Sequence, residues 1–129
     1  LKQQTIMTER RGTQITQTVQ SVGKPLFEHT KTVILINNGS ASASEIIAGA
    51  LKEHGKATLV GEKSYGKGSV QVVIGLAGGA QLKVTEARWY TPKGKNIDKS
   101  GIQPDETVTL TAEDTNAGRD TQLEKAKSL

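Results

Sequence analysis

The stretch TVILINNGSASASEIIAGALKEHG, residues Thr32–Gly55, decides the fold of this chain. Its first part predicts a strand over Thr32–Asn37, because the consecutive aliphatic residues Val33–Ile36 are typical of strands buried on both faces of a parallel sheet. The small residues of Asn38–Ala41 predict a turn, and a helix is expected to begin at or just after Ser42. The stretch therefore indicates a strand, a tight turn and a helix.

A second buried strand is expected directly after this helix, over Ala57–Val60. Strand, helix and strand in this order imply a right-handed crossover and a parallel strand pair. The helix is expected to face the core through apolar residues at helical spacing, namely Ile46, Ile47, Ala50 and Leu51. This unit places the chain in the α/β class.

The flanking segments predict β-hairpins rather than further helices. Strands over Gln4–Met7 and Thr13–Gln20 surround a turn at Arg10–Gly12, and the second strand is largely solvated. The alternation from Val70 to Val84 predicts a second hairpin around Gly78-Gly79. Between the first hairpin and the aliphatic strand, the pair Leu26-Phe27 is expected to anchor the core.

The carboxyl-terminal part reads as more polar. A short strand is expected over Thr107–Leu110, an irregular segment over Ala112–Gly118, and a terminal amphipathic helix over Asp120–Ser128 that uses Leu123 and Ala126. We therefore divide the chain into a core of residues 1–111 and a linker with a terminal helix, residues 112–129.

Composition restricts the possible functions. The 129 residues suffice for one core, and the net charge of +4 is scattered, without a basic block, which argues against a nucleic-acid partner. The chain has no cysteine, and no spacing pairs His29 with His54 as ligands, so neither a metal nor another cofactor is expected. No apolar run approaches the length that spans a membrane.

One pair of residues resembles a chemical site. Ser42-Ala43-Ser44-Glu45 has the form of a capping box, which by itself predicts only a helix N-cap. The same position would place a nucleophilic Ser42 beside free backbone amides, with the amide of Ala43 positioned to stabilise an oxyanion. Ser40 and Ser44 are the competing nucleophiles.

A serine nucleophile needs a base, and neither histidine fits. His54 lies twelve residues along the helix, about 18 Å away. His29 precedes the strand at whose far end Ser42 lies, so about 20 Å of extended chain separate His29 from Ser42. Lys67, between Gly66 and Gly68, remains. A lysine amine acts as base only when neutral, and burial lowers the pKa of such an amine from about 10.4 towards 7–8. Gln71 could orient the amine without adding charge; the alternatives are an exposed loop lysine and a solvent-facing glutamine.

The segment Gly61–Lys67 also matches the start of a phosphate-binding loop, G-x-x-x-x-G-K. The next residue is Gly68 rather than serine or threonine, and the following residues Val70–Ile74 predict a strand where such a loop needs a helix. Nucleotide binding is therefore disfavoured.

With these residues the sequence resembles the C-terminal processing, or tail-specific, protease family of serine–lysine peptidases. The similar stretches are NNGSASASEIIAGAL, VGEKSYGKGSVQ, ARWYTPKGKNI and GIQPDETV, within Thr32–Val108. The resemblance implies Ser42 as nucleophile, Lys67 as general base, Gln71 as the residue that orients the lysine, and the Ala43 amide as half of the oxyanion hole. It also implies part of a Clp protease/crotonase-like core.

The resemblance further implies protein substrates cleaved near their C-termini, and a location in the periplasm, cell envelope or thylakoid lumen. Family members carry a substrate-capturing PDZ domain and a glycine-rich oxyanion segment, neither of which matches here. We therefore expect these residues alone to be weakly active or inactive, and exposed strands to permit a homodimer. The rival interpretation is a catalytically silent, folded interaction module.

Overall fold

The computed structural model describes all residues, Leu1–Leu129, as two sheets and three helices. The elements are β1 (Thr5–Arg11), β2 (Gln14–Gln20), β3 (Val33–Ile36), α1 (Ala43–Glu53), β4 (Thr58–Gly61), β5 (Ser69–Gly75), β6 (Gln81–Tyr90), β7 (Glu106–Thr107), α2 (Ala112–Asn116) and α3 (Thr121–Ser128). One sheet has the strand order β2-β1-β6-β5 and the other β3-β4-β7. None of the helices combines the length and the apolar character needed to cross a bilayer.

The predicted parallel unit is present. β3 and β4 pair in parallel from Val33 opposite Thr58 to Ile36 opposite Gly61, with α1 as the connection. β7 adds to β4 in parallel as a third strand. Gly61 is required where β3 and β4 end together: its φ is 121°, and a Cβ there would lie 2.2 Å from the carbonyl oxygen of Ile36.

The two predicted hairpins are also present, but they form one sheet. β1 pairs with β6 from Thr8 opposite Tyr90 to Arg10 opposite Arg88, which joins them into four antiparallel strands. The β1–β6 pairing joins residues so distant in sequence that it leaves no local pattern from which it could be predicted. Within the first hairpin, the turn predicted at Arg10–Gly12 is displaced, because β1 continues through Arg11.

The core is built on Trp89. Its indole packs in a buried cluster with aliphatic residues of β3, β4, α1 and the 97–102 loop, the other members being Ile36, Ala48, Leu59, Ile97 and Ile102. The prediction that Leu26 and Phe27 anchor this core is wrong, since they are 87% and 72% exposed. β3 is likewise not buried on both faces, because Leu35 remains 40% exposed.

The buried face of α1 also differs from the predicted stripe. Of the predicted residues, Ala50 is buried, Ile46 and Leu51 are partly buried, and Ile47 is 56% exposed. The helix also buries Ala48 and Gly49 together with Glu45. The small residues allow close packing: a Cβ on Gly49 would lie 3.0 Å from Cδ1 of Ile102. The helix therefore approaches the 97–102 loop through its smallest side chains, and this rotation carries Glu45 into the interior.

At the carboxyl end, α3 begins as predicted, with the Asp120 carboxylate accepting the Leu123 amide at 2.9 Å. Its buried residue is Gln122, whose side-chain amide donates to the carbonyl of Val108 at 2.8 Å, whereas Leu123 is exposed. The segment predicted to be irregular forms the short helix α2, which Thr111 caps at the amide of Asp114.

Asp105 connects α1, β4 and the approach to β7. Its carboxylate accepts the Leu59 amide at 2.9 Å and pairs with the Lys52 ammonium at 2.8 Å. Partial burial opposes ionisation, but the hydrogen bond from Leu59 and the Lys52 ammonium outweigh it and hold the pKa of Asp105 below its usual 3.8. Because the folded-state pKa is depressed, this stabilisation is fully present above pH 4 and is lost as the pH falls through the folded-state value.

We predict that Asp105→Ala lowers the free energy of unfolding by about 1–3 kcal/mol at pH 7, because the Leu59 amide loses its acceptor. Asp105→Asn keeps an acceptor and loses only a half-exposed ion pair, so its effect should be smaller. Denaturant unfolding at pH 7 and pH 3 measures the free energy of unfolding of both variants. The difference in this free energy between the parent and Asp105→Asn should be smaller at pH 3 than at pH 7. Equal losses in the two variants at pH 7 would show that the ion pair, not the backbone hydrogen bond, carries the stabilisation.

Candidate active site

Ser42 occupies a strained position between the turn after β3 and the start of α1. Its φ of 56° and ψ of −116° match the first central position of a type II′ turn, which glycine normally occupies. Non-glycine residues held in such regions cost of order 1–3 kcal/mol and are concentrated at functional sites. The preceding turn is fixed by the Ser40 amide, which donates to the carbonyl of Asn37 at 2.9 Å.

The first turn of α1 leaves donors next to Ser42. Ser42 and Glu45 stand in the predicted capping-box arrangement, but the Ser42 hydroxyl falls short of a cap hydrogen bond of normal geometry. The amide of Ala43 donates to no protein acceptor, as expected for the first residue of a helix. An exposed hydroxyl, a free amide and the positive end of the helix dipole therefore lie together.

Glu45 is the centre of the arrangement. Its side chain is 1% exposed, and its two oxygens accept four hydrogen bonds. Oε2 accepts the amides of Ser42 at 3.0 Å and Lys67 at 2.9 Å. Oε1 accepts the Ser64 hydroxyl at 2.5 Å and the Gly66 amide at 2.7 Å. One carboxylate oxygen thus holds the backbones of Ser42 and Lys67 within two hydrogen-bond lengths of each other.

The backbone of Lys67 is fixed on its other side by the core. Its carbonyl accepts the indole N–H of Trp89 at 2.9 Å. Both flanking residues must be glycine, because a Cβ would lie 2.8 Å from the Gly101 amide nitrogen at Gly66 and 2.6 Å from that of Asp98 at Gly68. The Lys67 side chain, in contrast, is exposed, and its amine has no hydrogen-bond partner within the protein.

Gln71 lies on β5 and is exposed. Its side-chain amide donates to the Thr85 hydroxyl across the strand pair at 3.3 Å, and it makes no hydrogen bond with Lys67. Lys67 and Gln71 do line the same open cleft of about 730 Å³. The cleft is lined by Asn38, Gly39, Ala41, Tyr65, Gly66, Lys67, Ser69, Gln71, Lys83, Asp98 and Lys99. Ser42 follows Ala41 directly without itself being a lining residue.

The alternatives to Ser42 as nucleophile, to Lys67 as base and to a peptidase site can each be compared with the structure. The Ser40 hydroxyl accepts the Asn37 amide at 3.1 Å, and Ser44 is exposed on the first turn of α1. His54 lies at the far end of α1 and contacts the carbonyl of Thr5 at 2.7 Å. Strand β5 follows Lys67 where a phosphate-binding loop needs a helix.

The sequence interpretation missed Glu45 as more than a capping partner, and it missed Ser64 and Trp89. The spacing contained a signal for Glu45: it lies three and four residues before Ala48 and Gly49, which places it on their face of the helix. A carboxylate on a buried face needs several donors. Nothing in the sequence identified Ser64, whose hydroxyl donates to Glu45 and accepts the Ile102 amide at 2.7 Å.

Comparison with known proteins gives a family match. Residues 1–108 match the model described as Peptidase family S41. The carboxyl-terminal-processing protease of Picosynechococcus sp. is 45% identical over 108 residues, which are 84% of this chain and 26% of that protein. The chloroplastic C-terminal processing peptidase of Tetradesmus obliquus is 45% identical over 83 residues, 64% of this chain and 18% of that protein.

Among solved structures, the photosystem II D1 C-terminal processing protease superposes with a TM-score of 0.76 at 36% identity, covering 82% of this chain and 28% of that one. The predicted fold class, part of a Clp protease/crotonase-like core, is thereby confirmed. The chain spans about a quarter or less of the length of the two relatives.

We predict that Glu45→Gln releases the backbone around Ser42 and Lys67. A carboxamide has one acceptor oxygen, so its NH₂ group would face donors that are left without an acceptor. Each unpaired donor costs about 1–3 kcal/mol of stability. Amide hydrogen exchange of Ser42, Gly66 and Lys67 should therefore accelerate roughly tenfold or more.

Glu53→Gln is the matched control, because Glu53 lies on the same helix and also accepts a hydroxyl and an amide, from Thr91 and Lys93. It should leave exchange at Ser42 and Lys67 unchanged. Unaltered protection of both amides in Glu45→Gln would contradict the role assigned to this carboxylate.

Proposed function

Because the chain belongs to peptidase family S41, we propose that it carries the catalytic centre of a serine endopeptidase that uses Ser42 as nucleophile and Lys67 as general base. The observation that carries the proposal is the shared Oε2 atom of Glu45, which accepts the amides of both residues. A buried carboxylate that fixes the backbones of two residues with exposed side chains, one lining the cleft and the other next to a lining residue, is an arrangement for chemistry rather than for core stability alone.

In the proposed reaction, the neutral amine of Lys67 takes the hydroxyl proton of Ser42 while Oγ attacks the substrate carbonyl carbon. The carbonyl oxygen becomes an oxyanion, which the free Ala43 amide stabilises together with the helix dipole. Collapse breaks the peptide C–N bond, and the leaving nitrogen receives the proton from Lys67. Water, deprotonated by Lys67, then hydrolyses the acyl ester and regenerates Ser42.

Gln71 is proposed to orient the Lys67 amine. Its position in the cleft supports this role, since both side chains line the same space. The glutamine must turn from Thr85 to accept from or donate to the amine, and the weak 3.3 Å bond that it would leave makes this rotation inexpensive. A neutral partner orients the amine without stabilising its charged form.

Substrate and location are part of the same proposal. We infer protein substrates cleaved near their C-termini, since both relatives are named for carboxyl-terminal processing. We infer an extracytoplasmic or organellar location, which the chloroplastic relative supports. No metal or organic cofactor enters the proposed mechanism, because serine and lysine supply the nucleophile and the base.

We expect slow turnover from these 129 residues alone. Ser42, Lys67 and Gln71 are all exposed, so water competes with every polar interaction in the cleft. The same exposure favours the second candidate, a catalytically silent interaction module. Covalent labelling of Ser42 by a fluorophosphonate distinguishes the two, because the module would show labelling at no serine while remaining folded.

We predict that Ser42→Ala abolishes both fluorophosphonate labelling and cleavage of an unstructured protein. Its free energy of unfolding should change by less than about 1 kcal/mol, since the hydroxyl makes no cap hydrogen bond to lose. Ser40→Ala and Ser44→Ala are the controls and should retain labelling. Loss of activity in either control, with activity kept in Ser42→Ala, would assign the nucleophile to another serine.

We also predict that Lys67→Ala and Lys67→Arg are both inactive, because arginine does not release its proton near neutral pH. Lys99→Arg, at another cleft-lining lysine, should remain active. Substantial cleavage by Lys67→Arg would exclude the lysine-base mechanism.

A further inference from the structure

The turn that leads from β3 towards Ser42 carries an asparagine with an unpaired side chain. The Ser40 amide donates to the carbonyl of Asn37 at 2.9 Å, which places Asn38 and Gly39 at the two central positions of a β-turn. Asn38 is exposed, and its carboxamide makes no hydrogen bond within the protein, whereas the carboxamide of Asn37 does. Nothing in the protein therefore holds the Asn38 carboxamide away from its own backbone.

The residue after Asn38 favours a reaction within this turn. The backbone nitrogen that follows an asparagine can attack the side-chain carbonyl carbon and close a five-membered succinimide ring. A side chain on the following residue hinders that approach, and glycine has none. Asn38 is the only asparagine of the chain that precedes a glycine, since Asn37, Asn96 and Asn116 precede asparagine, isoleucine and alanine. Sequence and exposure therefore single out Asn38 for this chemistry.

The side chain of Asn37 opposes the ring closure. Its Oδ1 atom accepts the Gly39 amide at 2.9 Å, so the nitrogen must leave this hydrogen bond before it can attack Asn38. Asn37 and Gly39 are both exposed, and water replaces the lost partner, so breaking the bond costs little. The Asn37 side chain therefore slows the reaction at the next residue without preventing it.

We propose that Asn38 deamidates spontaneously and that the isoaspartate product inactivates the peptidase centre. The Gly39 amide nitrogen loses its proton and bonds to Cγ of Asn38, the Cγ–Nδ2 bond breaks, and the side-chain nitrogen leaves as ammonia. Water then adds to either carbonyl of the succinimide, which opens to aspartate or to isoaspartate. The net change exchanges water for ammonia, so no oxidant, reductant or further reactant is required.

The isoaspartate form changes the backbone itself. Its main chain runs through Cβ and Cγ of residue 38, which lengthens the turn by one atom. Ser40 is held on both sides of its peptide plane geometry by the present turn: its amide donates to Asn37, and its carbonyl accepts the Tyr65 amide at 3.0 Å. A longer turn cannot keep both hydrogen bonds, so the segment that carries Ser42 shifts against the loop that carries Lys67. This effect on activity rests on the proposed function, whereas the deamidation does not.

The experiment ages the full chain at mildly alkaline pH and measures conversion at each asparagine by peptide mass mapping and by isoaspartyl methyltransferase labelling. Both products should accumulate at Asn38, while Asn116, which is also exposed but precedes alanine, should stay unmodified. Asn37→Ala should convert at Asn38 roughly two- to tenfold faster, the factor that corresponds to the net contribution of one hydrogen bond. Asn38→Gln is the matched control and should not convert, because glutamine would have to close a six-membered ring, which forms far more slowly.

The effect on the site is measured on the same aged samples. Amide hydrogen exchange at Ser40 and Tyr65 should accelerate as isoaspartate accumulates. Fluorophosphonate labelling of Ser42 should fall in proportion to the isoaspartate content, whereas Asn38→Gln of the same age should keep the labelling of its own fresh sample.

Two groups of outcomes would overturn the inference. Conversion at Asn38 no faster than at Asn116, aspartate without isoaspartate, or no acceleration in Asn37→Ala would refute the chemistry assigned to the turn. Unchanged exchange after conversion, or an equal loss of labelling in the parent and in Asn38→Gln, would refute the effect on the site. Mass and exchange do not depend on catalysis, so a fresh protein without labelling at Ser42 would count against the proposed function alone.

Discussion

The buried carboxylate of Glu45 is the interaction on which the rest of this structure depends. An ionised carboxylate in an interior is costly unless its lone pairs are satisfied, and here four donors meet two oxygens. These donors come from the start of α1 and from the 64–67 loop, which follows β4. The cost of burying the charge is therefore offset only when both segments are in place, so the carboxylate couples the helix start to the glycine-rich loop.

The coupling explains how a strained serine persists. The φ of 56° at Ser42 would relax if the residue were held by the helix alone, but its amide is fixed to the same oxygen as that of Lys67. The backbone of Lys67 is held in turn by the Trp89 indole and by its two flanking glycines, which lie in close contact with the 97–102 loop. Trp89 is also the centre of the core. Backbone positions at the candidate site are thus determined by core packing, while the side chains of Ser42 and Lys67 remain exposed.

The sequence predicted those parts of the fold that depend on local pattern. Four aliphatic residues, a small-residue turn and a capping box sufficed for β3 and α1, and alternation sufficed for β5 and β6. The β1–β6 pairing could not be predicted, because it joins residues that lie 78 to 82 positions apart in the sequence. The prediction that Leu26 and Phe27 anchor the core was wrong, because the apolar character of a residue does not show whether other parts of the chain bury its side chain. Of the candidate site, the sequence pattern singled out Ser42 and Lys67 as a hypothesis. The contacts of Glu45 depend on the rotation of α1, which small residues set through packing.

Exposure of the site has a physical consequence for the proposed chemistry. The side chains of Ser42 and Lys67 meet solvent, and water in an open cleft competes with every polar interaction that a reacting group makes. A polypeptide that occupies the cleft displaces this water, so on the proposed function the bound substrate would itself strengthen the interactions that stabilise the transition state. The backbones of Ser42 and Lys67, which Glu45 and Trp89 already hold in place, would then need no rearrangement during the reaction.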